Sequence, residues 1–111
     1  MKNSQKHLEK AIQIDPDFAD AHYELALILK DKSEKEKSRQ HLMKAIEINP
    51  EFAQAHFHLA LLLISMTDPK AARKHFTKAI NINQDFAEAH YHLGLLLADL
   101  EEYEEAKNNL S

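Results

Sequence analysis

Eight histidines in a chain of 111 residues are the side chains with most chemical potential. Imidazole can ligate metals, act as a general acid or base, or change charge between about pH 5 and 8. Six of the eight fall into two series spaced 34 residues apart, His7, His41, His75 and His22, His56, His90. Copies of one position in a repeated helical scaffold stack about a helix diameter apart, roughly 10 Å. Zinc needs each ligand nitrogen within about 2.1 Å, so neither series converges on a metal by its own spacing. Packing or solvated surface is the expectation for these six. His58 and His92 share a different position one period apart, with Glu24 in that place one period earlier. Glu88 lies four residues before His92, a helical spacing that permits a side-chain contact. A histidine beside a carboxylate would make binding there sensitive to pH. His56 and His58 are not a chelating pair, because side chains at i and i+2 on a helix diverge.

The composition removes most other chemistry. With no cysteine there is no disulfide framework, thiol nucleophile or thiolate metal site. A single glycine cannot build a Gly-rich phosphate cradle, and there is no nucleophile elbow and no His-Glu-x-x-His. The hydroxyls Ser4, Ser33, Ser38, Ser65, Thr67, Thr77 and Ser111 are scattered and define no triad. No catalytic residue, metal site or cofactor is expected. The net charge of −4 lacks the basic excess that nucleic-acid and anionic-membrane binders need, so neither is an expected partner. Residues 1–50 balance nine basic against nine acidic side chains, whereas 51–111 carry five and nine, so the excess is local. Asp99, Glu101, Glu102, Glu104 and Glu105 supply most of it. The polar start and the lack of an 18-residue apolar run argue against a signal peptide or membrane span, making a cytoplasmic location the default expectation.

The 34-residue period organises the chain. Segments 7–29 and 41–63 agree at 15 of 23 positions, and 41–63 agrees with 75–97 at 15 of 23, too many for chance at one period. Apolar spacing within each period is helical, and Asp15-Pro16 and Asn49-Pro50 interrupt it, since proline ends the preceding helix and is tolerated in the next first turn. Each period is therefore two helices. First-type helices are expected near 18–32, 52–66 and 86–99, and second-type helices near 3–14, 35–48, 69–82 and 102–111. Asp68-Pro69 supplies a cap and first-turn residue for one of them. Gln84 replaces the third proline, which predicts a softer turn. Ala26, Ala60 and Gly94 on the first helices, and Ala11, Ala45, Ala79 with Ser38, Ala72 and Ala106 on the second, are the small residues a close helix crossing requires. Gly94 costs about 1 kcal/mol of helix propensity against alanine, which reads as a close-packing requirement.

His56-x2-Leu59-Ala60-x2-Leu63, Ala72-x3-Phe76 and His90-x2-Leu93-Gly94-x2-Leu97 resemble the W-x2-L-G-x2-Y and A-x3-F pattern of the tetratricopeptide repeat (TPR) family. The departures are His for the large aromatic, Leu for Tyr, and Ser38 for the alanine. The resemblance covers essentially the whole chain. It implies an all-α fold, a right-handed α-solenoid of antiparallel helix pairs with about three units and seven helices. Residues 1–18 would be the second helix of an incomplete unit, 19–52 and 53–86 complete units, and 87–111 a truncated one. An unpartnered first helix would leave Leu8, Ala11 or Ile12 partly exposed.

In that family first helices line a concave groove. The resemblance places Tyr23, Phe57 and Tyr91, Leu27, Leu61 and Leu95, and Glu24, His58, Glu88 and His92 along it. Such a strip suits a peptide or helix segment from a protein partner, apolar or basic in character. Asp20, Glu24, Gln54 and Glu88, with Lys30 the only strong cation nearby, argue against an acidic-tail partner. The alternative is self-assembly through the terminal helices, giving a homo-oligomer. Histidine-based metal binding is a distant third reading.

Overall fold

The computed structural model describes residues 2–110, with side chains for 3–105 and Lys107. Ser111 and the side chain of Ala106 lie outside the described residues. Six helices follow one another, α1 (Lys2–Ile14), α2 (Ala19–Asp31), α3 (Lys35–Ile48), α4 (Ala53–Ser65), α5 (Pro69–Ile82) and α6 (Ala87–Leu110). Consecutive helices carry the main packing, α1 on α2 through to α5 on α6, and the stack is elongated at 55 × 29 × 20 Å. This is a solenoid, in which each element depends on its chain neighbours rather than on one central core.

Two kinds of turn alternate, each with its own chemistry. Between α1 and α2, α3 and α4, and α5 and α6, an Asx residue closes the chain on itself. Its side chain accepts from the amide two residues on, at Asp15/Asp17, Asn49/Glu51 and Asn83/Asp85, and its carbonyl accepts from Phe18, Phe52 or Phe86 at 3.1 Å. The turn at Gln84 makes the same set of bonds as the two proline turns. Within the pairs α2/α3 and α4/α5, Ser33 and Thr67 adopt left-handed backbone, φ 63° and 60°. The amides of Glu34 and Asp68 then bond to the carbonyls of Leu29 and Leu63 at 2.9 Å, a Schellman closure made without glycine. Left-handed backbone at these residues costs about 1–2 kcal/mol each. The following helix, packed back along its partner, offsets that cost. The Asp68 carboxylate also caps α5 by accepting from the Ala71 amide at 3.3 Å.

The seam inside each pair is built from small residues. Ala26 and Ser38 are fully enclosed, and the Ser38 hydroxyl donates to the Ala26 carbonyl at 2.7 Å. One period later Ala60 and Ala72 are equally enclosed, with Phe76, Leu62 and Ala79 around them. On α1, by contrast, Leu8, Ala11 and Ile12 are half-buried, as expected for a helix with one neighbour.

The last expected turn does not form. Glu101 stands one period after Thr67, and it and Glu102 favour helix more than Ser or Thr does. The separate helices expected at 86–99 and 102–111 are therefore the single helix α6, so the described residues hold six helices where seven were expected. Gly94 is affected too. Its counterparts Ala26 and Ala60 meet a helix that folds back, but Ala106 lies on the same straight helix, twelve residues or about 18 Å further along the axis. A Cβ built at Gly94 meets nothing within 4 Å, so the close-packing reading of this glycine is corrected. Gly94→Ala should raise stability by about 1 kcal/mol, seen as a higher melting midpoint. A lower midpoint would mean that a fold-back helix does press on this position.

Candidate functional site

The first-type helices α2, α4 and α6 bring most of the sequence-derived site residues into one file. Tyr23 and His58 meet edge-on at 5.6 Å, His58 and Phe57 at 5.2 Å, Phe57 and His92 at 5.6 Å, and His92 and Tyr91 at 5.3 Å between ring centres. The aromatic row is thus continuous across three helices. Leu27, Leu61 and Leu95 stand four residues beyond Tyr23, Phe57 and Tyr91, on the same helical faces.

Exposure divides this row. Tyr91 (64% exposed) and Leu95 (48%) are open, and Tyr23, Leu27, His58, Leu61 and His92 are half-buried. Phe57 is only 4% exposed and also packs on Phe86 and Phe76, at 5.0 and 5.9 Å. It is a core residue beneath the row rather than a surface of it. Helical periodicity gave no means of separating the two, because both face the same side of α4.

The charges around the row are mostly carboxylates. Asp20, Glu24 and Glu88 are exposed. Glu88 does not pair with His92. Its charge acts across the α4–α6 seam on His58, opposing burial and Lys30, which together hold the His58 imidazole below its ordinary value. The Nδ1 atom of His58 is buried without a hydrogen-bond partner in the protein. Burial, helped by Glu24, raises the Tyr23 phenol above its usual range, so it stays a neutral donor.

The repeated histidines hold what the sequence reading missed. The two series meet each other. The Nδ1 atoms of His22 and His41 lie 3.0 Å apart, as do those of His56 and His75. The signal was the offset of 19 residues between the series, identical in both pairs, which puts one ring on a first helix opposite one on the second. His7 and His90 are exposed. Among the described residues no three His, Asp or Glu side chains gather as a metal set. A cleft of about 510 Å³ lined by Ile64, Leu96, Leu100 and Tyr103, between α4, α5 and α6, also escaped the sequence reading. It borders the straight end of α6.

A helical-repeat stack with an open aromatic and leucine face on its first helices defines a class of scaffold, and the comparisons give the family. A TPR repeat model matches residues 3–33 and 70–101, and a tetratricopeptide repeat model matches 19–52. The chain belongs to the tetratricopeptide repeat family. Among solved structures, MamA aligns over 96% of this chain and 58% of its own, with 27% identity and a TM-score of 0.84. YrrB, described as a TPR protein with an unusual peptide-binding site, aligns over 89% of this chain and 51% of its own, with 25% identity and a TM-score of 0.80. The Thermobaculum terrenum O-GlcNAc transferase shares the fold over 84% of this chain and 18% of its own, at 22% identity and a TM-score of 0.79. The chain thus spans less than two thirds of the length of each of these structures. No curated protein matches it in sequence. No helix among the described residues is long and apolar enough to cross a membrane.

The division within the row is testable by truncation. Phe57→Ala should cost about 3–5 kcal/mol of stability, as removal of an enclosed ring does. Tyr91→Ala should change stability by less than about 0.5 kcal/mol. Urea unfolding of the two variants reads both, and equal losses would contradict the division.

Proposed function

We propose that the chain is a protein-interaction scaffold that holds a peptide or helix segment along the file of Tyr23, Glu24, Leu27, His58, Leu61, Glu88, Tyr91, His92 and Leu95, with Phe57 as its floor. The observation that carries this reading is the exposure of Tyr91 and Leu95 at the end of a row that is half-buried elsewhere. An open aromatic beside an open leucine on one helical face is what an amphipathic segment covers with its own apolar side. The carboxylates of Asp20, Glu24 and Glu88 at the margin favour a segment that also carries lysine or arginine, and disfavour an acidic tail. YrrB, with its peptide-binding site, supports a peptide as the ligand class. In this reading the array is divided at 19–52, 53–86 and 87–111 after an initial helix within 1–18. It has no catalytic role, needs no cofactor and works in the cytoplasm.

A second reading is self-assembly, favoured by the cleft beside α6 and by Tyr103, which is 63% exposed. Sedimentation over a concentration series separates the two readings, since a strict monomer at high concentration removes self-assembly.

For the peptide reading, Tyr91→Ala combined with Leu95→Ala should weaken binding of a Leu/Lys-rich amphipathic peptide at least tenfold in fluorescence anisotropy, with the melting midpoint unchanged. Raising salt should weaken it further through screening of Glu24 and Glu88. Unaltered affinity in the double variant would sink the proposed face.

A further inference from the structure

The two histidine pairs are built alike, and their hydrogen bonds define where the protons sit. His22 Nε2 lies 2.8 Å from the Pro16 carbonyl and His56 Nε2 lies 3.2 Å from the Pro50 carbonyl. A carbonyl only accepts, so each Nε2 carries the hydrogen and each facing Nδ1 is a lone pair in the neutral ring. The partner must then donate. His41 and His75 are held as Nδ1–H tautomers, giving Nδ1–H to the Nδ1 of His22 and His56. Both bonds are enclosed on one side, since His22 and His56 are 6% and 4% exposed.

The rings meet head-on. Their centroids lie 5.2 and 5.3 Å apart, which is the Nδ1 separation of 3.0 Å plus one ring radius of about 1.1 Å on each side. Opposed lone-pair directions at this distance suit a shared hydrogen. They do not suit a metal, which in a straight line would need the nitrogens about 4.2 Å apart and at a tetrahedral angle would need them to converge.

We propose that these two head-on histidine pairs are a built-in proton sensor that loosens α2 from α3 and α4 from α5 as the medium turns acidic. One proton can be accommodated in each pair. It enters at the free Nε2 of His41 or His75, the more exposed ring of each pair, whose Nδ1–H goes on donating to His22 or His56. A second proton cannot be accommodated, because two N–H groups and two positive charges would then face each other 3.0 Å apart. The pair must separate, and it joins the two helices of one repeat.

The surroundings bias the two pairs differently. Burial and His22 hold His41 below its ordinary value, with Glu9 of α1 opposing them. His75 is pushed down to about 4 by burial, then by His56, Lys74 and Lys78. Burial and Lys78 also lower His56, against the Pro50 carbonyl and Glu51. The α2/α3 pair, facing a carboxylate, therefore releases first on acidification, and the α4/α5 pair, facing lysines, resists longer. In the third repeat His90 bonds to the Gln84 carbonyl at 3.0 Å, and the partner position holds Asn109, whose side chain lies outside the described residues.

A depressed folded-state value means that the neutral pair is favoured by folding. Its stabilisation is complete above about pH 6.5 and is lost as pH falls from there towards 4. Because His75 remains partly exposed, the loss is discounted for screening to the order of tenfold in the folding equilibrium. The test compares the chain with the double variant His41→Asn, His75→Asn, whose amides donate at every pH. Denaturant unfolding from pH 7.5 to 4.5 should weaken the original chain on the order of tenfold more than the variant. Equal losses would overturn the proposal. Nitrogen NMR on the unaltered chain gives an answer even if the variant fails to fold. His22 and His56 should be Nε2–H and His41 and His75 Nδ1–H at pH 7.5, with the Nδ1–H signals lost on acidification. Four Nε2–H tautomers at pH 7.5 would refute it.

Discussion

The small-residue seam between paired helices is the contact on which the stack depends. Ala26 against Ser38, and the equally enclosed Ala60 and Ala72 one period later, let backbones approach at the short end of roughly 8–10 Å. That approach brings the second helix back along the first, and it offsets the cost of left-handed backbone at Ser33 and Thr67. It also sets one histidine of each repeat against another. Where no helix folds back among the described residues, the consequences appear together. α6 runs on unbroken through Glu101, a Cβ at Gly94 would meet nothing within 4 Å, and a cleft opens between Ile64 and Tyr103.

Much of this was legible because a repeat states each rule several times. The 34-residue period, the Asx turns and the alternation of apolar positions fixed the first five helices to within a residue or two. The final turn was not legible. Its place in the period predicted a break, but the residue there is Glu101, and the period carries no information about whether a partner helix is present to hold the turn. Gly94 failed for the same reason. It shares its repeat position with Ala26 and Ala60, whose small size matters only when something packs on them.

The site was legible in position but not in depth. Tyr23, Phe57 and Tyr91 occupy one repeat position, yet Phe57 is enclosed in the middle of the stack while Tyr91 is open. The difference is neighbours. Phe57 has Phe76 and Phe86 pressed against it, whereas Tyr91 lies on the last helix with no further first helix beside it among the described residues. The histidine pairs are not visible in either series alone, because the converging distance lies between the two series. The tautomers they impose follow from backbone carbonyls at Pro16 and Pro50, which a sequence does not display.

Stability in such a stack is graded by neighbours, greatest at α4 and α5 and falling outwards. α4 buries Ala53, Ala55, His56, Phe57, Leu59, Ala60, Leu62 and Leu63, whereas the described side chains of α1 are at best half-buried. Native-state hydrogen exchange, resolved by residue, tests this most directly. Amides of α4 and α5 should exchange slowest, those of α2 and α3 faster, and those of α1 and of α6 beyond Leu100 fastest. Equal protection of α1 and α4 would mean instead that the chain opens as one cooperative body rather than from its ends.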